Sequence, residues 1–312
     1  MNKKALTSLA IAGTIIAFGS CYKNEKKEPV YTSLGNAIAS LVPTSKTVDM
    51  DAATGGSFRG NSGARYEFPA NAFITATGTP VTGTVKIEVT EYLSKSDMMF
   101  SGVLPVIANE SLISGGEFYV NATKDGQTLF MRHGTTYAVN LPQKGTPISG
   151  MMAFQGHENI ISGGIVWVPK HDSTIALIVY NGDTIRLFND SLGYGNADRF
   201  MSNPIYQTFD LILSTSDGAP VPTANNIGGT AAVSASCLYD EFNGVWGMSY
   251  AGNSIVREDH VPNIPVHFVV TALIDGQFYG GILGTTPTTG STYNVVLKPT
   301  TPAAFKALVD VL

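Results

Sequence analysis

One segment of the chain approaches the serine-hydrolase motif Gly-x-Ser-x-Gly. It begins at Gly247 and includes Ser249, but Ala251 stands where the motif has its last glycine. A nucleophile elbow also needs a strand, a sharp turn and a helix around the serine, and no helical spacing surrounds this one. The nearby acid and histidine, Asp259 and His260, are sequence neighbours, so we do not expect them to line up in series as orienter and base. The sequence therefore predicts no catalytic triad and no enzyme.

Metal-ligating residue types occur without the spacing of a known site. Asp49 and Asp51 lack the remaining ligands of an EF-hand loop, and no Gly-x-x-x-x-Gly-Lys stretch exists to bind phosphate. The histidines show neither zincin nor facial-triad spacing. Local motifs therefore predict no metal and no cofactor. Because β proteins gather ligands from distant strands, a distributed metal site, calcium in an irregular loop and paired carboxylates for glycoside hydrolysis stay open. The five histidines are His133, His157, His171, His260 and His267.

Two tryptophans, Trp167 and Trp246, are candidates for a sugar-stacking platform, because an aromatic face offers a large contact area at low entropic cost. Most aromatic side chains of a chain of this size are expected in the core. The exposure of the aromatic side chains distinguishes the two interpretations. A glycan site needs a row of aromatic side chains on the surface, whereas core residues are buried.

The elements that must position these residues are mainly strands. Val85, Ile87 and Val89 alternate with polar residues, as in a half-buried antiparallel strand. Glycine-containing turns at Asn181-Gly182 and Asp275-Gly276 predict two hairpins, and Gly280-Gly281 suggests a bulge or a close backbone approach. Similar short runs lie at 117–122, 136–141, 165–168, 209–213, 231–239, 266–273 and 293–297.

Helical signals are few and lie near the two ends. Residues 30–41 have apolar side chains at helical spacing, which predicts a short docking helix or a linker. Thr301 as N-cap and Pro302 at the first helical position predict a C-terminal helix, with Phe305, Leu308, Val309 and Leu312 as a stripe that packs on a sheet. Strands without interleaved helices predict an all-β fold, mainly antiparallel β-sandwiches.

Composition shifts divide the chain into segments. Proline and glycine concentrate at 142–150, and Asn203-Pro204 marks a second break. We predict a β-sandwich at 51–145, a middle β segment at 146–203 and a C-terminal β domain with its helix at 204–312. A signal segment at 1–20 and a tether at 21–50 precede them.

The stretch from Phe68 to Phe73 and the following strand carry a family resemblance. Phe68-Pro69 followed by Ala72 makes a corner before the alternating strand that contains Val85. This arrangement resembles the ZU5-type β-sandwich, over residues 50–145. The resemblance implies a protein-interaction or scaffold module. Autoproteolytic forms cut at His-Phe-Ser, and this chain has His-Gly-Thr from His133, so self-cleavage is not implied.

A second stretch, residues 193–200, contains Asn-x-Asp-Arg-Phe. It is similar to a stretch in uncharacterised surface lipoproteins of Bacteroidota that also carry the ZU5-like part, and this resemblance implies location rather than chemistry. We expect Asn196 and Asp198 to bond backbone groups in a turn, Arg199 to pair with a carboxylate and Phe200 to fill the core. A ligand site is the alternative.

Composition excludes some functions. Charged residues make up 14% of the 312 residues, against roughly 25% in ordinary soluble domains, and the formal net charge is −5. Nucleic-acid binding is excluded because the chain has no basic footprint. Apart from Cys21 the only cysteine is Cys237, so neither an intramolecular disulfide nor a cysteine-rich zinc site is expected. Cys237 is predicted to be a small buried hydrophobe.

The first residues have the pattern of a lipoprotein signal. Lys3 and Lys4 precede an apolar run at 5–18, which is too short to span a bilayer of about 30 Å as a helix. The run ends in Phe-Gly-Ser before Cys21, which resembles the lipobox of bacterial lipoproteins, although Phe18 stands where leucine is usual. The resemblance implies cleavage after residue 20, acylation of Cys21 and a stable membrane anchor. An ordinary secretory signal is the alternative.

The residues after the lipobox bear on location. No aspartate, the residue that marks retention in the inner membrane in lipoproteins of the enteric type, follows Cys21, so the resemblance to lipoproteins implies the outer membrane. The charged stretch at 22–28 resembles the surface-export signal of Bacteroidota lipoproteins; the alternative is a solvated tether. We expect an outer-membrane lipoprotein, facing either the periplasm or the cell surface.

Three short sequences resemble the Asp-Ser/Thr-apolar sequon of periplasmic O-glycosylation in Bacteroidota. The alternative is chance combined with turn chemistry. The acceptor residues would be Ser173, Thr184 and Ser191.

These observations predict a non-enzymatic lipoprotein whose β-sandwiches bind another envelope protein. The second hypothesis is a surface glycan-binding lipoprotein, and the third is an accessory to a hydrolase or a cryptic hydrolase. A flat apolar patch would favour the first, an exposed aromatic row the second and a cleft with converging carboxylates the third.

Overall fold

The computed structural model describes residues 29–312 except 146, 160–163, 171–177, 222–231 and 253. Its elements are mostly antiparallel strands with short α-helices, one of them at the C-terminal end, which confirms the predicted all-β fold class. The predicted signal segment 1–20 and Cys21 lie outside the described residues. In the part described, no helix combines the length and the apolar character needed to cross a bilayer.

The elements have the following bounds. Helices are α1 Leu34–Ile38, α2 Lys95–Ser101 and α3 Pro302–Val309. Strands of the N-terminal unit are β1 Lys46–Asp51, β2 Gly56–Arg59, β3 Arg65–Phe68, β4 Phe73–Ile74, β5 Thr84–Tyr92, β6 Val106–Ile107, β7 Glu110–Lys124, β8 Gln127–Thr128, β9 Phe130–Met131, β10 Tyr137–Pro142, β11 Met152–Glu158, β12 Ile165–Pro169, β13 Ile178–Asn181, β14 Thr184–Asn189 and β15 Gly193–Phe200. Strands of the C-terminal unit are β16 Tyr206–Thr215, β17 Ala232–Tyr239, β18 Val245–Met248, β19 Tyr250–Gly252, β20 Ile255–Pro262, β21 Val266–Ile274, β22 Gln277–Thr285 and β23 Thr292–Pro299.

The N-terminal unit is a sandwich of two sheets. The larger has the strand order β1-β5-β7-β15-β11-β12, and the smaller has β13-β14-β10-β3-β2. The alternation predicted for β5 is confirmed, since Val85, Ile87 and Val89 are buried between the sheets. Segments predicted separately at 51–145 and 146–203 contribute strands to both sheets.

The C-terminal unit is an eight-stranded sheet with the order β18-β17-β21-β22-β23-β16-β20-β19. All its neighbouring strands are antiparallel except β16 and β23, which pair in parallel. Its strands share an apolar core in which the ring centroids of Phe209 and Phe268 lie 5.2 Å apart. β23 joins the two antiparallel parts of this sheet.

A third apolar cluster, here called the interface cluster, lies between the larger sheet of the sandwich and the C-terminal unit. It contains Tyr92, Met98, Leu112, Phe154 and Trp167 from the N-terminal unit, and Leu238, Val245, Val269, Leu273, Phe278, Phe305 and Val309 from the C-terminal unit. Both faces of the larger sheet are therefore covered, one by the smaller sheet and the other by this cluster.

The C-terminal helix α3 begins as predicted. The Thr301 hydroxyl accepts a hydrogen bond from the Ala304 N–H at 3.2 Å. Phe305 and Val309 are buried, but Leu308, predicted in the same stripe, is 56% exposed, because it lies at the flank of the buried face of this short helix. α1 is confirmed as a short helix, capped by Ser33.

The two predicted hairpins form with different turns. The first turn consists of Gly182 and Asp183 rather than Asn181 and Gly182, because Asn181 still pairs with Thr184. Gly182 has φ +62°, which is typical of the first position of a type II′ turn. The second turn has positive φ at both Asp275 and Gly276, which is typical of a type I′ turn.

The Gly280-Gly281 pair is a close approach and not a bulge. The ladder between β21 and β22 runs without interruption through both glycines. A Cβ placed on Gly280 would overlap the ring of Phe305, whose Cγ would be only 2.8 Å away. The helix therefore rests directly on the backbone of β22.

Candidate functional site

The acid–histidine pair at 259–260 forms a contact that the sequence argument did not expect. In β20, Asp259 and His260 together face one residue of β16, which makes a β-bulge. His260 Nδ1 lies 2.5 Å from Asp259 Oδ1, so the expectation that neighbours could not act as orienter and base was wrong. The bulge is the reason, since it rotates two adjacent side chains toward each other.

No nucleophile joins this pair among the described residues. Ser249 lies in the link between strands β18 and β19, where a nucleophile elbow would need a helix. No hydrogen bond in the described part of the chain connects Ser249 to His260. Instead the Trp246 ring stacks on the histidine, with centroids 5.4 Å apart and planes 26° apart.

Glu258, the second acid of this region, supports the bulge. Its carboxylate is buried and accepts the N–H groups of Asp259 at 2.9 Å and His260 at 2.8 Å. The three side chains Glu258, Asp259 and His260 approach within 4.8 Å of one another. Since Glu258 already accepts two backbone hydrogen bonds, its burial is explained by the local backbone alone.

The tryptophans do not form a surface platform. Trp167 is 1% exposed and Trp246 is 8% exposed, and the Trp167 indole donates to the Leu104 carbonyl at 2.8 Å. An edge of Trp246 lines a cleft of about 240 Å³ together with Leu104 and Val106. The core interpretation of both tryptophans is confirmed.

The Asn-x-Asp-Arg-Phe segment is a strand, β15, rather than the predicted turn. Asn196 and Asp198 are fully buried, whereas Phe200 is 36% exposed and makes an edge contact with Phe154. Within the described residues Arg199 makes no ion pair, contrary to expectation. The segment is extended because it pairs with β7 on one side and β11 on the other.

Asn196 and Asp198 belong to a buried group of four polar side chains, here called the oxygen cluster, with Ser114 and Glu117 of β7. The Ser114 hydroxyl donates to Asp198 Oδ1 at 2.7 Å, and the Asn196 amide donates to Asp198 Oδ2 at 2.8 Å. Burial raises the pKa of both carboxyl groups, and the nearby charge of Asp198 adds to the effect on Glu117.

Sequence reasoning singled out half of this cluster. The Asn-x-Asp-Arg-Phe motif contains Asn196 and Asp198 but not Ser114 and Glu117, which lie some 80 residues away along the chain and meet β15 only through strand pairing. The available signal was the run Ser-Gly-Gly-Glu at 114–117, where two glycines interrupt an apolar strand pattern.

Exposed apolar side chains lie on a terminal strand of each sheet of the sandwich. In β12, Val166 and Val168 are each 46% exposed, and among the described residues this strand pairs with β11 alone. β13 is the terminal strand of the other sheet, and it exposes Val179 and Tyr180 at 39% each. Together these four residues are called the edge patch.

The candidate modification sites are placed only in part. The Thr184 hydroxyl lies 3.2 Å from Asp183 Oδ1 at the hairpin turn. The Ser191 hydroxyl donates to Gln155 Oε1 at 2.8 Å and is partly buried. Ser173 and Cys21 lie outside the described residues. Glycosylation at the three positions stays a prediction.

Comparison with known proteins gives no identification. No protein-family model matches the chain, and no curated protein matches it. The resemblances to ZU5-type sandwiches and to surface lipoproteins therefore remain predictions from the sequence.

Proposed function

We propose that this protein is a non-enzymatic outer-membrane lipoprotein, held by acyl chains on Cys21, whose β-sandwich binds another envelope protein. The signal-like residues 1–20 and the lipobox-like Phe-Gly-Ser-Cys support the anchor. The observation that supports a protein partner is the edge patch, which combines exposed apolar side chains with the terminal strands of two sheets.

The partner binds by adding an extended segment to β12. A terminal strand offers backbone N–H and C=O groups for further pairing, and natural proteins usually shield such strands with charged residues or proline. Val166 and Val168 present two apolar side chains on one face ahead of Pro169, which ends the strand, while Trp167 between them anchors the strand in the interface cluster. A docked strand would bury both valines.

The anchor is tested by changing Cys21. We expect Cys21→Ser to abolish metabolic labelling with a palmitate analogue and to release the protein from outer-membrane fractions. Cys237→Ala is the matched control, because it removes the other cysteine and leaves the lipobox intact. Unchanged sedimentation of the Cys21→Ser protein with outer membranes would contradict lipid anchoring.

The partner surface is tested with a photoreactive amino acid at position 168. Position 296 is the control, because Val296 is 44% exposed on the C-terminal unit. We expect a covalent adduct with one envelope protein from position 168 only. Val168→Lys should reduce recovery of that protein about tenfold, the effect of 1.4 kcal/mol, and Val296→Lys should not.

Other outcomes would replace the proposal. Equal labelling from both positions indicates chance collisions rather than a binding edge. A glycan in the adduct, rather than a protein, favours the glycan-binding hypothesis.

The O-glycans predicted at Ser173, Thr184 and Ser191 are tested on the same native protein. Intact-mass spectrometry is expected to show hexose-sized additions. A mass equal to that of the bare lipidated chain would remove this prediction.

A further inference from the structure

The oxygen cluster lies in an apolar environment. In a row across the larger sheet, Tyr92 of β5 faces Glu117, Glu117 faces Asn196, and Asn196 faces Phe154 of β11. Tyr92 and Phe154 belong to the interface cluster, so the row is covered by the C-terminal unit and the helices. Glu117, Asn196 and Asp198 each have 0% exposure, and Ser114 has 3%.

A β-bulge brings the four side chains together. Asn196 pairs with Glu117 and Asp198 pairs with Ser114, so Gly115 and Gly116 both lie opposite Ala197. In a regular strand Ser114 and Glu117 would point to opposite faces, because they are three residues apart. The extra residue turns both to the same face, and Gly116 has φ +121°, which few other residues adopt.

The oxygen atoms of the cluster outnumber its donors. Both hydrogen bonds between its side chains end on Asp198, and the Ser114 hydroxyl also accepts the N–H of Gly116 at 3.0 Å. Three buried acceptors have no hydrogen-bond partner among the described residues, namely both carboxylate oxygens of Glu117 and the amide oxygen of Asn196. A buried carboxylate without a donor is strongly unfavourable.

Other buried carboxylates of this protein have the donors that Glu117 lacks. Glu258 accepts two backbone N–H groups, and Glu91, which is 2% exposed, accepts the N–H of Ser62. A proton on Glu117 that was donated to the amide oxygen of Asn196 would still leave the second Glu117 oxygen without a donor. A cation that binds several oxygens at once would satisfy all three acceptors.

We propose that Ser114, Glu117, Asn196 and Asp198 bind a calcium-class divalent cation. The ligand set consists of oxygen alone, which suits hard cations and not zinc or copper. Its two carboxylates neutralise a dication. Calcium fits better than magnesium, because Mg²⁺ keeps several waters and this buried site has little room for them. The cation ties β7 to β15 beneath the interface cluster.

The proposal is tested on the full-length chain in detergent, after dialysis against EGTA. Re-addition of Ca²⁺ is expected to restore one ion per chain by elemental analysis. At a hundredfold excess over the dissociation constant, the midpoint of thermal unfolding should rise by about 5–10 °C. Mg²⁺ at the same concentration should produce little shift.

Variants locate the site. Glu117→Gln keeps the shape of the side chain and removes one charge, and it should abolish calcium retention and the thermal shift. Ser114→Ala is a milder variant that keeps both carboxylates, and it should weaken calcium binding at least about tenfold. Glu91→Gln is the matched control, a buried carboxylate on the neighbouring strand, and should retain calcium as the wild type does.

Three results would overturn the proposal. The first is a wild-type chain that retains no calcium and unfolds at the same temperature with EGTA and with Ca²⁺. The second is normal calcium retention in Glu117→Gln, which would place any ion elsewhere. The third is an equal response to Mg²⁺. Should Glu117→Gln fail to fold, the wild-type measurements and Ser114→Ala decide the matter.

Discussion

The contact between Phe305 of α3 and the backbone of Gly280 makes a quantitative prediction. Phe305 is 2% exposed and makes an edge contact with Phe278 at 6.0 Å between centroids. Truncation of such a buried ring, Phe305→Ala, should lower the free energy of unfolding by about 3–5 kcal/mol. Gly280→Ala places a methyl group against the ring and should cost about 1–3 kcal/mol, because the helix must move.

The two changes should not be additive. In the Phe305→Ala background the methyl group of Gly280→Ala enters the space that the ring has left. Its steric cost disappears, and the loss of a flexible glycine from a strand favours folding by about 0.5–1 kcal/mol. We therefore expect the double variant to be as stable as Phe305→Ala or more stable, with a coupling free energy of about 1–3 kcal/mol.

The assay is urea unfolding, monitored by far-ultraviolet circular dichroism, of the wild type, the two single variants and the double variant. Gly56→Ala supplies the control, because a Cβ there meets only the flexible Met50 side chain at 3.5 Å or more. Its effect on the free energy of unfolding should add to that of Phe305→Ala, with no coupling free energy. Additive effects of Gly280→Ala and Phe305→Ala would refute the view that α3 rests on this glycine.

Three other predictions concern separate parts of the molecule. Burial raises the pKa of the Cys237 thiol, so in a Cys21→Ser protein a thiol reagent should label nothing until denaturant is added; rapid labelling in buffer would contradict the buried placement. The hydrogen bond from Arg186, at 2.7 Å, lowers the pKa of Glu67 below its ordinary 4.5. The contribution of this pair to the free energy of unfolding is therefore fully present above pH 4.5 and is lost as the pH falls through the lowered pKa. Arg186→Gln should lower the free energy of unfolding by about 1 kcal/mol at pH 7 and make it depend less on pH in the acid range. Gly116→Ala should cost about 1–3 kcal/mol in urea unfolding because of its positive φ, and an unchanged urea midpoint would mean that the bulge has another conformation.

The sequence predicts those parts of the fold that depend on local pattern. The alternation at Val85, Ile87 and Val89 identifies a strand because the side-chain period of two is a property of the strand itself. Thr301 and Pro302 identify the start of α3 for a similar reason, since capping involves only neighbouring residues.

The oxygen cluster was not predictable in the same way. Ser114 and Glu117 meet Asn196 and Asp198 only after β7 and β15 pair, and their common face depends on a bulge at two glycines. The contact between Asp259 and His260 escaped prediction for the same physical reason, because a bulge changes which side chains share a face. Bulges depend on pairing between strands that are distant in the sequence, so the local alternation of apolar and polar residues does not predict them.

The position of β23 has a consequence for the time course of folding. Among the described residues, β23 is the strand that connects β22 on one side with β16 on the other, and the ribosome makes it after every other strand of that sheet. Until it emerges, the two parts of the C-terminal unit have no shared hydrogen-bond ladder. We expect the nascent unit to stay incomplete through nearly all of its synthesis, because the last strand made is the one that closes its sheet.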